Sequence, residues 1–179
     1  GNIRSYDTNN PWNIIAENDF IAGGFLWTGT DYIGEAGWPS HGWPAGLFDI
    51  CMVEKPRAAF HRAMWNDEPM VRIAVRDNAL DIDHGRDLWQ WPNMAAIWNF
   101  PRAYEGLVIE VNTTTNCERV ALVHNGNEMG VRRTADYSNH TITWCLPYRR
   151  GTLVAKGING TDTVAVHEIR TAGDAVRLK

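Results

Sequence analysis

Residues 119–134 read RVALVHNGNEMGVRRT, and at the centre of that run stands Asn125-Gly126. Two segments of β-forming residues flank the pair, and both Asn and Gly tolerate the positive φ that a two-residue hairpin turn demands. The spacing predicts antiparallel strands over 119–124 and 128–134. Outward from this hairpin the same alternation recurs. Val71, Ile73 and Val75 point one way while Arg72 and Arg76 point the other, and Leu107, Ile109 and Val111 repeat the scheme around Val108 and Glu110, the period of two that a half-buried strand requires. Further strands are predicted over 141–146, 152–157 and 163–169, with a second Asn-Gly pair at Asn159-Gly160. Short strands at this spacing, separated by turn signals, predict an antiparallel β-sandwich of the immunoglobulin-like kind over residues 70–179, without the Cys and Trp spacing of antibody domains.

Upstream of Pro69 the chain has another character. Acidic residues outnumber basic ones by nine to four over residues 1–68, and the pattern is strand, long loop, helix. The run FIAGGFLW, residues 20–27, is continuously apolar, as in a strand buried on both faces. A Gly- and Pro-rich loop follows, longer than a simple connection, and loops of that length in compact domains usually carry function. Residues 55–65 then place Pro56 in a first helical turn and space Ala59, Phe60, Ala63 and Met64 along one apolar face. A short helix is also predicted over 12–17, with Asn10 as its cap and Pro11 in its first turn. Strand, loop and amphipathic helix make one βα unit, a type built to repeat around a parallel sheet or barrel. One such unit cannot cover both faces of its strand. The chain is therefore expected to be mainly β: residues 1–69 form a partial barrel segment, a last βα unit, and residues 70–179 the sandwich.

Composition narrows the chemistry. The chain has 179 residues, a net charge of −4 and 21% charged side chains, a balance that lacks the basic footprint of a nucleic-acid partner. No apolar run approaches the ~18 residues of a membrane helix, so no membrane partner is expected. Cys51, Cys117 and Cys145 are too scattered for a zinc site and are taken as buried thiols. Asp81, Asp83, His84 and Asp87 lack the Gly and terminal Glu of a calcium loop. Phosphate-loop glycines, a Ser elbow and paired histidines are all missing, so no metal and no cofactor is expected. Nine tryptophans are the unusual number, since flat indole faces fill cores but also pack against flat apolar ligand surfaces. Asp31 and Glu35 follow the apolar run, where barrel chemistry resides, yet both lie on one loop, whereas a glycosidase's two carboxylates usually come from different strands.

The segments SYD, DFIAGGFLWTGTDYIGE and GLFDICMVEKPRAAFHRAMW, spanning residues 5–65, resemble the closing part of the catalytic barrel in glycoside hydrolase family 2, the β-galactosidases and β-glucuronidases. VNTTTNCERVALVHNGNEMG, TWCLPYRRGTLVAKGI and TAGDAVRLK resemble the immunoglobulin-like domain that follows that barrel. The resemblance implies a (β/α)8 parent in which residues 20–27 are the eighth strand and PRAAFHRAMW the eighth helix. It assigns Trp27 to contact with the reacting sugar ring, Asp31 to shaping the site loop with sugar contact, and Trp43 to the rim. The family's two catalytic glutamates end the fourth and seventh barrel strands, positions that neither Glu17 nor Glu35 occupies, so no catalytic residue is assigned here. Carbohydrate is the implied partner, a periplasmic or secreted location the implied compartment, and a homo-oligomer through the uncovered barrel segment an expectation from burial. The alternative is an autonomous module that binds glycan or protein through exposed Trp89, Trp91 and Trp98.

Overall fold

The computed structural model describes residues 11–39, 41–76 and 94–173. In chain order these form α1 (Pro11–Ala16), β1 (Tyr32–Ile33), β2 (Gly42–Trp43), α2 (Pro56–Trp65), β3 (Val71–Arg76), β4 (Val108–Thr115), β5 (Arg119–His124), β6 (Asn127–Arg133), β7 (Thr141–Pro147), β8 (Thr152–Asn159) and β9 (Asp162–Arg170). The last seven strands make two antiparallel sheets, ordered β3-β4-β7 and β6-β5-β8-β9. This is a mainly β fold, a sandwich of the immunoglobulin-like kind. Chain neighbours β4 and β5 lie in different sheets, so the β4–β5 corner crosses the core and the two inner faces meet.

The Asn125-Gly126 turn forms as its residues demand: His124 pairs with Asn127, and the two central residues take φ of 50° and 80°. At the second pair the turn moves one residue along. Asn159 stays in β8 opposite Asp162, so Gly160 (φ 56°) and Thr161 are the central residues. The Asn159 side chain instead accepts the Glu118 N–H at 2.9 Å, a bond available only because the β4–β5 corner lies against this turn.

Inward-facing positions of both sheets supply the core: Val71, Ile73, Val75, Ile109, Val111, Val120, Leu122, Ile142, Trp144 and Leu153. Two polar features are fully paired inside it. Trp144 donates its indole N–H to Thr113 Oγ1 at 3.0 Å, and the Arg132 guanidinium lies 4.4 Å from the Trp144 ring centroid, a cation–π contact. Tyr148, buried at the corner between β7 and β8, accepts the Phe100 N–H on its hydroxyl at 3.2 Å. Two expectations change here. Leu107 precedes β4 and is exposed, as is Val108. Cys117 is buried, but Cys51 and Cys145 are exposed, because Cys145 occupies an outward position of edge strand β7 and Cys51 sits in a turn held by the Asp49 carboxylate.

Helix α2 forms with Pro56 at its start and buries Ala59, Phe60 and Ala63, which with Met70 close against β3 and β4. The predicted strand over 20–27 does not form: residues 21–26 have no regular structure, and Phe20, Phe25 and Trp27 are 86%, 108% and 64% exposed. A strand needs ladder partners, and no parallel neighbour lies beside this run among the described residues. The helix of the βα unit finds its apolar cover on the sandwich; the strand does not.

The two sheet edges that meet at β3 and β9 are stitched by a histidine. Ile73 N–H donates to His167 Nδ1 at 3.1 Å, which satisfies a donor that edge strand β3 would leave open. Burial, and then the Arg72 charge, hold the His167 pKa below 6.5; on α2 burial, and then Arg57, push His61 down to about 4. Both rings therefore stay neutral in the folded chain while the unfolded chain takes up protons near 6.5. Stability contributed by these rings is complete above that value and is lost as pH falls from 6.5 toward about 4. Urea midpoints measured from pH 8 to 4 are expected to fall across that window. His167→Leu is expected to cost about 1–3 kcal/mol at neutral pH, the penalty for stranding a partly buried N–H, and to flatten the decline.

Candidate functional site

The predicted site residues lie on the loop between residues 27 and 57, whose backbone folds back on itself. Leu47 N–H and Phe48 N–H donate to Thr28 O (3.1 Å) and Gly29 O (3.0 Å), and Asp31 N–H donates to Phe48 O at 2.9 Å. Between these ends β1 and β2 pair, Tyr32 opposite Trp43. The peptide bonds Trp27–Thr28 and Trp38–Pro39 are cis.

Asp31 anchors this arrangement. Its Oδ1 accepts the Gly46 N–H at 2.7 Å, and both carboxylate oxygens take the Lys55 ammonium, at 2.7 and 2.6 Å. The side chains of Lys55 and Asp31 are only 25% and 13% exposed, so solvent screens the pair less than an ordinary surface bridge. Lys55 also reaches Pro44 O at 3.1 Å, and Arg57, buried on α2, donates to Gly46 O through Nε (3.0 Å) and Nη2 (2.6 Å). Two cations from the start of α2 thus hold the returning loop by its carbonyls.

Trp27 stands outside this clamp. Its indole N–H donates to Tyr32 Oη at 3.3 Å and its ring meets the Tyr32 ring edge-on, with centroids 6.3 Å apart. Tyr32 in turn donates to Glu35 Oε2 at 2.5 Å; that carboxylate holds the phenol proton and raises the Tyr32 pKa. The three predicted residues are therefore joined through Tyr32: it touches Trp27, follows Asp31 and pairs with Trp43, which is half-buried. Neither of the two carboxylates singled out on this loop is free, since Asp31 is engaged by Lys55 and Gly46, and Glu35 by Tyr32. Sequence reasoning missed Tyr32, Lys55 and Arg57; their roles rest on contacts 3–24 residues apart that no spacing rule encodes. It also passed over Trp38, which is 88% exposed.

The residues of the alternative module fare differently. Trp98 is not an exposed contact residue but a fully buried one, donating to Arg149 O at 3.1 Å among the rings of Phe100, His124 and Tyr148. Trp89 and Trp91, and the acidic cluster at 81–87, lie outside the described residues. Among the described residues no three His, Cys, Asp or Glu side chains gather as a metal site would require.

The chain is thus a β-sandwich module that carries a clamped aromatic loop and a helix on its flank. Residues 106–165 match the family model described as "Domain of unknown function (DUF4982)". A putative beta-glucuronidase from Formosa agariphila is 31% identical over 156 residues, 83% of this chain and 13% of that protein. Beta-galactosidase BoGH2A from Bacteroides ovatus is 27% identical over 169 residues, 93% of this chain and 17% of that protein. The crystal structure of a glycosyl hydrolase family 2 member from Bacteroides cellulosilyticus superposes with a TM-score of 0.78 at 30% identity, covering 91% of this chain and 23% of that one. The chain thus spans less than a fifth of the length of these two curated relatives. It resembles the C-terminal part of glycoside hydrolase family 2 enzymes, in sequence and in fold.

Proposed function

We propose that this chain supplies one wall of the sugar site in a retaining, β-galactosidase-like exo-glycosidase of family 2 that acts in carbohydrate degradation, together with the sandwich that supports it. The observation that carries the reading is Trp27: a 64% exposed indole on a loop clamped by Asp31, Lys55 and Arg57. An exposed flat ring at the edge of such a loop, tied to Tyr32, can pack against the apolar face of a sugar. Asp31 shapes the loop, and Trp43, on the returning strand β2, lies toward the rim. A retaining glycosidase needs two carboxyl groups about 5 Å apart across the glycosidic bond. Asp31 is ion-paired and Glu35 is bonded to Tyr32, so turnover is assigned to carboxylates outside this stretch.

Chromogenic galactosides, glucuronides, mannosides and glucosides offered to the 179-residue chain test the division of labour. No hydrolysis is expected from the folded chain; turnover abolished by Glu35→Gln would overturn the proposal. The wall itself is tested by following the Trp27 indole N–H resonance during titration with galactose and glucuronate. A saturable shift of that signal is expected, and a signal unmoved by every sugar of the panel would remove Trp27 from the site.

A further inference from the structure

At the end of the sandwich where the β4–β5 corner, the β8–β9 turn and the segment after β6 converge, there is an open cleft of about 730 Å³. Its walls carry Glu118, Arg119, Arg133, Thr134, Tyr137 and His140. Arg119 and Arg133 are direct cross-strand partners, and like charges so opposed destabilise a strand pair. Arg119 donates through one guanidinium nitrogen to Gly160 O. Arg133 is exposed and has no carboxylate partner among the described residues. The acid in the cleft, Glu118, turns Oε2 to the Gly160 N–H at 2.9 Å, which leaves the rim with an excess of one positive charge.

The other groups narrow the ligand. Thr134 gives its hydroxyl proton to Cys117 O. The Tyr137 hydroxyl accepts from Arg132 Nη1 at 3.0 Å and keeps its own proton to donate, so this residue offers a ligand a phenol donor beside its ring. His140 Nδ1 lies 3.1 Å from Thr115 O; a carbonyl only accepts, so Nδ1 carries a proton and Nε2 is the ring nitrogen left for a ligand. The backbone at this corner is left-handed at two successive residues, Asn139 and His140, with φ of 58° and 54°. What remains to satisfy is a pair of guanidinium groups, a phenol with its ring and one histidine nitrogen, a set complementary to an anionic group on a ring that bears hydroxyls.

We propose that this cleft is a binding site for an acidic sugar, its carboxylate held by Arg133 and Arg119, its ring laid against Tyr137 and a hydroxyl bonded to His140. The site is separate from the Trp27 loop and does not depend on the function proposed for that loop. Amide chemical shifts of the 179-residue chain, followed during titration with sodium glucuronate, glucose and sodium sulfate at matched ionic strength, test it. Saturable shifts at residues 118–119 and 133–140 are expected with glucuronate, with no saturation by glucose and at least tenfold weaker binding of sulfate. Arg133→Gln, at an exposed position where the fold is preserved, is expected to weaken glucuronate at least tenfold while the remaining amide signals stay in place. Equal binding of glucose or of bare sulfate, full affinity in Arg133→Gln, or shifts confined to the Trp27 indole and its loop would each overturn the proposal.

Discussion

Trp98→Ala is expected to lower the unfolding free energy by about 3–5 kcal/mol, the range for truncating a fully buried Trp. Stability of a domain this size is itself only about 5–15 kcal/mol, so with a urea dependence of about 1–3 kcal/mol per molar the midpoint is expected to fall by about 1–3 M, or the variant to be partly unfolded when made. The ring is 0% exposed and forms the hub of an aromatic cluster: Tyr148, His124 and Phe100 meet it edge-on at centroid distances of 5.0, 5.4 and 6.1 Å. Its indole N–H bonds Arg149 O, and its own carbonyl accepts the Thr171 hydroxyl at 2.6 Å. Removal leaves a cavity, takes from Arg149 O its indole donor and leaves it only the His124 Nε2 contact at 3.1 Å, and it frees the segment of residues 94–100, which reaches β3 through the Val75–Ala95 bridge. Urea unfolding followed by far-UV circular dichroism checks it. A change below 1 kcal/mol would mean that residues 94–100 do not belong to the core.

The second large effect is local. A Cβ added at Gly46 would lie 2.1 Å from Asp31 N, 2.3 Å from Thr30 C and 2.6 Å from Phe48 O, all backbone atoms that cannot swing aside. Gly46→Ala is therefore expected to cost about 3 kcal/mol, the upper end for overpacking. The strain falls on one place: the returning loop must lift away, breaking the Gly46 N–H bond to Asp31 and the Arg57 bonds to Gly46 O. Amide exchange at residues 28–31 and 46–48 should accelerate at least tenfold, while β4, β5 and β8 keep their protection. Gly37, with nothing within 4 Å of its added Cβ, supplies the control, since Gly37→Ala should leave exchange unchanged. Sugar-dependent movement of the Trp27 resonance should be lost in Gly46→Ala if the clamp holds that indole in place. Unaltered exchange in Gly46→Ala would show that the close approach of Gly46 to residues 30–31 is absent in solution.

The sandwich was legible because its information is local. Alternation at Val71, Ile73 and Val75, the Asn-Gly pair at 125–126 and the apolar face of residues 59–63 each state a backbone geometry within a few residues, and the structure forms all three. Within the loop, the part legible beforehand was the list Trp27, Asp31 and Trp43; how they are held was not. The Asp31–Lys55 pair spans 24 residues and the Arg57–Gly46 bonds span 11, distances at which no pattern of residue types announces a contact.

The errors have one physical origin. FIAGGFLW has the composition of a buried strand, but burial is a property of neighbours, and without adjacent strands among the described residues the run stays exposed. Trp98 has the composition of a contact residue beside Ile97 and Asn99, yet the β7–β8 corner brings Tyr148 and Arg149 to it from 50 residues away and closes it in the core. Periodicity and turn chemistry, carried within short windows of chain, were sufficient for strands, hairpins and the antiparallel class. Tertiary packing alone decided which tryptophan is core and which faces solvent, which histidine joins two sheet edges, and that Arg119 and Arg133 share one cleft with Tyr137 and His140, because each of those facts depends on where distant segments meet.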